Sequence, residues 1–383
     1  MQRNQELDIN SRKSVVSIIY LIIVGFCVFI IQPGIVQGFV SETELSPEQA
    51  GYVASAEMWG LAFTTVLLTY FAERIDWRKI TIVSLLVAVA GNLASTISTD
   101  LDTFVIIRTI TGIALGGMIS LPFAMLGMTA KTDYNFGLAV IGLLTYGAVG
   151  LFLVPSALAS IGLDGIFVFL AVFCAVGLFM VPNIPRGSYK SEEGVSRSKD
   201  KLRIQKISAL AGVFAFNLAV GAAWAYLFLV GIDSGIEEQV VANILTLSQF
   251  LGILGGLFVV FLSSKINRGT PLGISILFCA VGIGVLLLDM DFLIYSAAVF
   301  VFNFFWNIAQ PYLIALLAAF DDNSKTVIRG SCMQMLGYAI GPYIAASILG
   351  SGMSYSFYEI NLFASLMFFL SLILMLPAIK ILR

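Results

Sequence analysis

Pro182-Asn-Ile-Pro-Arg186-Gly-Ser-Tyr-Lys190-Ser-Glu-Glu-Gly194-Val-Ser-Arg-Ser-Lys-Asp-Lys-Leu-Arg-Ile-Gln-Lys206 is the longest polar stretch between apolar runs in this chain of 383 residues. Pro, Gly, Ser and dense charge together make linker chemistry. On both sides lie apolar runs of roughly 20 residues, enough to cross a bilayer at ~1.5 Å rise per residue. Six precede it: Val15–Val36, Glu48–Phe71, Ile80–Ile97, Thr103–Met128, Phe136–Ala159 and Ile166–Val181. Six follow: Ile207–Val230, Gln239–Leu262, Pro271–Leu288, Phe292–Phe320, Val327–Gly350 and Tyr358–Ile381. The expected fold is therefore an all-α membrane protein of twelve transmembrane helices. A first bundle spans 1–182, a cytoplasmic linker 183–206 and a second bundle 207–383.

Charge placement supports this count. With the first residue inside, 20 of the 21 Lys and Arg fall on the cytoplasmic side, seven of them in the linker. The external connections carry acids such as Glu42, Glu44, Asp100, Asp164 and Asp289, and no cation. That is the positive-inside pattern, and a miscount by one helix would scramble it. The pattern predicts a multi-pass protein of a bacterial inner membrane with both termini cytoplasmic. The first run is too long for a cleaved signal peptide, and no Ala-x-Ala site follows it. The composition agrees: 59% hydrophobic and 11% charged residues, with mean hydropathy +0.96. A water-soluble domain could not hide that much apolar surface.

The sequence also excludes functions. It has no His. It lacks H-E-x-x-H, G-x-S-x-G, paired deep Asp residues and a P-loop, so neither a membrane enzyme nor direct ATP drive is indicated. Cys27, Cys174, Cys279 and Cys332 fall inside spans, where thiols serve as small apolar fillers. No metal, cofactor or nucleic acid is implied. The expected partners are a small-molecule substrate, protons and the lipid bilayer, with the chain acting as a monomer.

The halves echo each other. A basic cluster follows the second span of each, Arg74-Ile-Asp-Trp-Arg-Lys79 and Lys265-Ile-Asn-Arg268. The fifth span of each is rich in small residues: Gly142, Gly147 and Gly150, then Gly337, Gly341 and Ala345. Each of these also holds a proline, Pro155 or Pro342. Six spans repeated in one orientation imply a pseudo-two-fold axis along the membrane normal, with a solute site between the halves.

At this point the chain resembles the major facilitator superfamily over its whole length. The loop after the second helix of that family reads approximately G-x-x-x-D-R-x-G-R-R. Here the stretch runs from Thr69 to Lys79, with Glu73, Arg74 and Arg78 matching and Thr69 and Asp76 replacing the glycines. The fourth-helix pattern R-x-x-x-G-x-x-x-G is matched fully by Arg108, Gly112 and Gly116. Antiporters of the family show a Gly-Pro pair in the fifth helix. This chain has none there, while Gly341-Pro342 sits in the eleventh span. The resemblance implies alternating access and a central cavity lined by helices one, four, seven and ten. It also implies a gating charge relay at Glu73, Arg74 and Arg78, which otherwise read as a topology signal.

Two charges lie deep in the spans, Glu57 and Arg108. Charge in hydrocarbon is costly unless it is paired or functional. One reading is a structural ion pair. The other makes Glu57 a protonatable switch with Arg108 as its partner or as an anion clamp, and these are the proton-coupling candidates. In the second half, Asn303, Asn307 and Gln310 recur at i, i+4, i+7 with Trp306 beside them. Asn217 and Trp224 share a face of the seventh span, and Gln334 and Tyr338 share one of the eleventh. These eight residues are the substrate-binding candidates, against the alternative of helix-to-helix hydrogen bonding. Gln32 and Gln37, near Pro33-Gly34, are further candidates on the first span. The reading predicts a secondary active transporter of a small organic solute, proton-linked and exporting. The alternative is proton-coupled uptake of an organic anion.

Overall fold

Pro33 breaks the first span in two. It has no N–H to give the carbonyl of Phe29 four residues back, and Ile31 leaves helical geometry at φ −99°, ψ 13°. The result is α1 (Arg12–Ile30) followed by α2 (Gln32–Glu42). The computed structural model describes residues 8–71, 74–98, 100–186, 203–262, 267–320, 325–351 and 357–380. The remaining helices are α3 (Pro47–Phe71), α4 (Trp77–Ser95), α5 (Leu101–Gly127), α6 (Thr132–Met180) and α7 (Arg203–Asp233). They continue as α8 (Glu238–Leu262), α9 (Gly269–Val285), α10 (Phe292–Ala318), α11 (Lys325–Gly350) and α12 (Phe357–Ile379).

The twelve helices are not one-for-one the twelve expected spans. The first span is α1 plus α2. The fifth and sixth are two helices that meet at Gly162 and together carry the label α6. Gly162 turns it at φ 66°, ψ −178°, a left-handed conformation that glycine adopts without a Cβ clash. Tyr146 stacks on Phe173 at 5.3 Å, so the two arms lie side by side as a hairpin. Among the described residues, nine helices are long and apolar enough to cross a membrane, with α9 as a shorter apolar helix. Half-exposed side chains such as Phe152, Val172, Leu254 and Ile373 face outward, as lipid contact requires.

Short side chains set the ends. Ser11 accepts from the N–H of Ser14 at the start of α1. Asp76 accepts from the N–H groups of Arg78 and Lys79 at the start of α4. Asp100 opens α5 by accepting the N–H and hydroxyl of Thr103, and these bonds hold its carboxyl below the usual carboxylate range.

Glycines bring two helix pairs into backbone contact. On α5, a Cβ at Gly112 would strike the carbonyl of Glu57, and one at Gly116 would lie 2.7 Å from the carbonyl of Leu61. On α11, a Cβ at Gly337 or Gly341 would lie 2.7 or 2.6 Å from main-chain nitrogens of α7. Small residues at such seams let membrane helices pack without a hydrophobic driving force. In the first half α5 packs on α1, α3 and α4, and α4 packs on α6. In the second, α10 packs on α8 and α9, α7 on α11 and α12, and α9 on α12. The halves meet through α3 with α11, α6 with α8 and α2 with α7.

Candidate functional site

Arg108 of α5 and Glu57 of α3 meet as a fork. Nη2 bonds Oε1, and Nε bonds Oε2 at 3.3 Å. The other guanidinium nitrogen, Nη1, donates to Asn92 Oδ1 at 2.9 Å and Ser95 Oγ at 3.4 Å, both on α4. The guanidinium carbon lies 5.3 Å from the centre of the Phe167 ring. Both side chains are within 3% of complete burial. A buried pair tolerates its lost hydration only with this kind of geometry and extra hydrogen bonding. Ser55, two residues before Glu57 and so about 200° around the helix, donates to the Ala339 carbonyl of α11 at 2.8 Å. Glu57 therefore turns away from the seam between the halves, into the first half. The fourth-helix pattern now has a physical content. Arg108, Gly112 and Gly116 form one stripe along which α5 pairs with, and then touches, α3.

Four of the expected solute residues form one network. Gln310 Nε2 donates to Asn217 Oδ1 at 3.1 Å and to the Tyr338 hydroxyl at 2.9 Å. Gln334 Nε2 donates to Gln310 Oε1 at 2.9 Å and to the same hydroxyl at 3.3 Å. Asn217 is steadied by donating to the Val213 carbonyl. Asn217, Gln310 and Gln334 line a tight cleft of about 10 Å³, partly open to solvent, with Val213, Leu317 and Ser331 on its walls.

The two expected tryptophans adjoin this network. Trp224 and Trp306 have ring centres 5.5 Å apart. The Trp224 indole N–H donates across the halves to the Phe29 carbonyl at 2.9 Å. That is the carbonyl whose helical donor Pro33 removed. The Phe29 ring sits 4.6 Å from Tyr338 and meets Trp306 edge-on at 6.4 Å. Sequence reading did not single out Phe29. The available signal was its position four residues before a proline inside an apolar run. Asn92 and Ser95 were missed as well, because the α4 face that meets Arg108 is fixed only by packing.

Asn303 and Asn307 do not join the cleft. Asn303 Nδ2 donates to Ser248 Oγ of α8 at 3.0 Å, and Asn307 Nδ2 donates back to Asn303 Oδ1 at 2.8 Å. The amide stripe of α10 thus meets α8 along its middle and reaches α7 and α11 only at Gln310.

At the expected gate, Glu73 lies outside the described residues. Arg74 is exposed. Arg78 Nη2 donates to the carbonyl of Pro182 at 2.8 Å and to that of Ile184, tying the start of α4 to the end of the sixth span. At the opposite face, several contacts hold the halves together. Tyr226 donates to the Pro47 carbonyl at 3.1 Å, and Tyr52 and Ser347 share a 3.3 Å hydroxyl pair.

A helical fold with glycine seams, buried polar pairs and a lipid-type exterior defines a polytopic membrane protein. The Major Facilitator Superfamily profile matches residues 18–328, and the chain belongs to that family. It is an integral multi-pass membrane protein of a family of transporters. A 109-residue segment is 29% identical to a Bacillus subtilis (strain 168) protein provisionally named a niacin/nicotinamide transporter, NiaP. That match covers 28% of this chain and 27% of the relative.

Proposed function

We propose that the protein is a proton-linked secondary transporter that exports a small organic solute by alternating access. In this reading two six-helix bundles, 1–182 and 207–383, rock about a pseudo-two-fold axis. Both termini face the cytoplasm of a bacterial cell, and the monomer is the working unit. The parallel pairings α3–α5 and α8–α10, and α4–α6 and α9–α12, support the repeat. The observation that carries the solute reading is the network of Asn217, Gln310, Gln334 and Tyr338, whose three amides line a tight cleft between α7, α10 and α11. An uncharged polar wall beside aromatic rings suits a small planar solute held by stacking and hydrogen bonds. The cleft lies toward the linker-side ends of α7, α10 and α11, while the far ends are held shut by Tyr226 and Tyr52. An exporter loads from that side, which supports the outward reading.

The proton step uses the fork. A proton taken up on Glu57 removes its charge and loosens its hold on Arg108. Asn92 and Ser95 still hold the guanidinium, so the pair can part without leaving it bare. Loss of the proton on the other side restores the pair. Uptake is the second reading, favoured by the partial match to a protein named for niacin and nicotinamide.

A panel of planar aromatic solutes, tested for stabilisation of purified protein, checks the site. Stabilisation by at least one solute, lost in Gln310→Ala and kept in Asn307→Ala, is expected. Equal stabilisation of both variants would reduce the network to packing.

A further inference from the structure

Gln32 is the first residue of α2, at the break that Pro33 makes inside the bilayer. Its side chain is 1% exposed, yet neither Nε2 nor Oε1 has a hydrogen-bond partner among the described residues. A buried primary amide with both ends unpaired is costly, and native structures rarely retain one without a use. It stands at the positive end of an 11-residue half-helix, where an oxygen acceptor is favoured. It also stands one turn from Phe29, whose ring and carbonyl touch Tyr338, Trp306 and Trp224 of the second half. The first half therefore offers one unpaired donor and one unpaired acceptor close to the aromatic cluster that adjoins the amide network.

We propose that Gln32 and the N-terminal end of α2 seat the acyl group of the transported solute. Gln32 Nε2 donates to an acyl oxygen, a carboxylate or carboxamide, and Oε1 accepts an N–H where the group is an amide. The ring of the solute lies against Phe29, Trp224 and Trp306. This rests on the solute reading above and adds the chemical class that the second-half network does not specify. In the present state the halves are closed over α2, so the amide is buried and unfilled by protein. The solute completes its hydrogen bonds when the halves part.

The test uses benzoate, benzamide and fluorobenzene as probes on the purified full chain, read by thermal shift. Gln32→Met keeps the length of the side chain and removes both polar atoms. The wild type should be stabilised by benzoate or benzamide more than by fluorobenzene. Gln32→Met should weaken apparent affinity for the acyl probe about tenfold, the value of one lost hydrogen bond, with unliganded Tm unchanged or higher. Gln32→Ala gives the same readout if the Met variant folds poorly. Preference for benzoate assigns a carboxylate, and preference for benzamide assigns a carboxamide. Gln310→Ala separates the two claims. If it loses the acyl probe while Gln32→Met binds normally, the solute site stands and the acyl seat is wrong. A lower unliganded Tm with unchanged probe binding would make Gln32 a structural amide, and that result overturns the proposal. So would a wild type that no acyl probe stabilises.

Discussion

Replacing Gly112 by Ala tests the seam on which the ion pair rests. The added Cβ would strike the carbonyl oxygen of Glu57 and lie 2.8 Å from its carbon and 3.1 Å from its Cα. These are main-chain atoms of α3, so no side-chain rotation relieves the clash, and the two helices must part. Overpacking of this kind costs about 1–3 kcal/mol, against about 0.5–1 kcal/mol gained when Ala replaces a helical Gly. The net expectation is a loss of up to about 2.5 kcal/mol. The parting also pulls on the Arg108 fork one turn away, whose Nε contact is already 3.3 Å. Gly127→Ala is the control, because nothing lies within 4 Å of a Cβ there. Thermal unfolding in detergent should show a lower Tm for Gly112→Ala and an equal or higher one for Gly127→Ala. Transport in vesicles should fall for the first variant only. An unchanged Tm and full transport in Gly112→Ala would refute the argument that this seam holds the pair in register.

The ion pair should behave as a coupled unit. Glu57→Ala or Arg108→Ala alone should each cost about 3–5 kcal/mol by stranding a buried charge, and the double variant should recover much of that loss; additive losses would show that the two do not act together. Trp224→Phe keeps the ring but removes the indole bond to the Phe29 carbonyl, which retains only the Ile31 N–H, at a cost of about 0.5–1.5 kcal/mol to this closed state. A cysteine placed at Ser55 should then label faster from the outside, and unchanged labelling would remove Trp224 from the closure.

Much of the architecture could be read from the chain, and the misses are instructive. Apolar length and cation placement are properties of whole segments, so the spans flanking Gly162 were readable. The tight bend that joins them was not, because one positive φ decides between a loop and a hairpin bend. Glu57 and Arg108 stood out because charge in hydrocarbon demands a partner. Asn92 and Ser95 did not, because an amide and a hydroxyl in an apolar run gain meaning only from the helix facing them. The stripe of α10 showed the limit of periodicity. Spacing placed Asn303, Asn307 and Gln310 on one face correctly, but which neighbour each meets depends on how α8, α7 and α11 cross it. The break at Pro33 was visible as a proline, whereas its consequence, a carbonyl handed to Trp224 195 residues away, needed the fold.

Solute accumulation driven by an imposed pH gradient tests the account most directly. Wild type and Glu57→Gln are reconstituted in vesicles with a solute that stabilises the purified wild type. Wild type should concentrate the solute uphill in response to the gradient. Glu57→Gln keeps an oxygen for Arg108 but cannot exchange a proton, so it should bind the solute and let it equilibrate without accumulating it. Uphill accumulation by Glu57→Gln at the wild-type level and with the wild-type dependence on pH would contradict proton coupling through this pair.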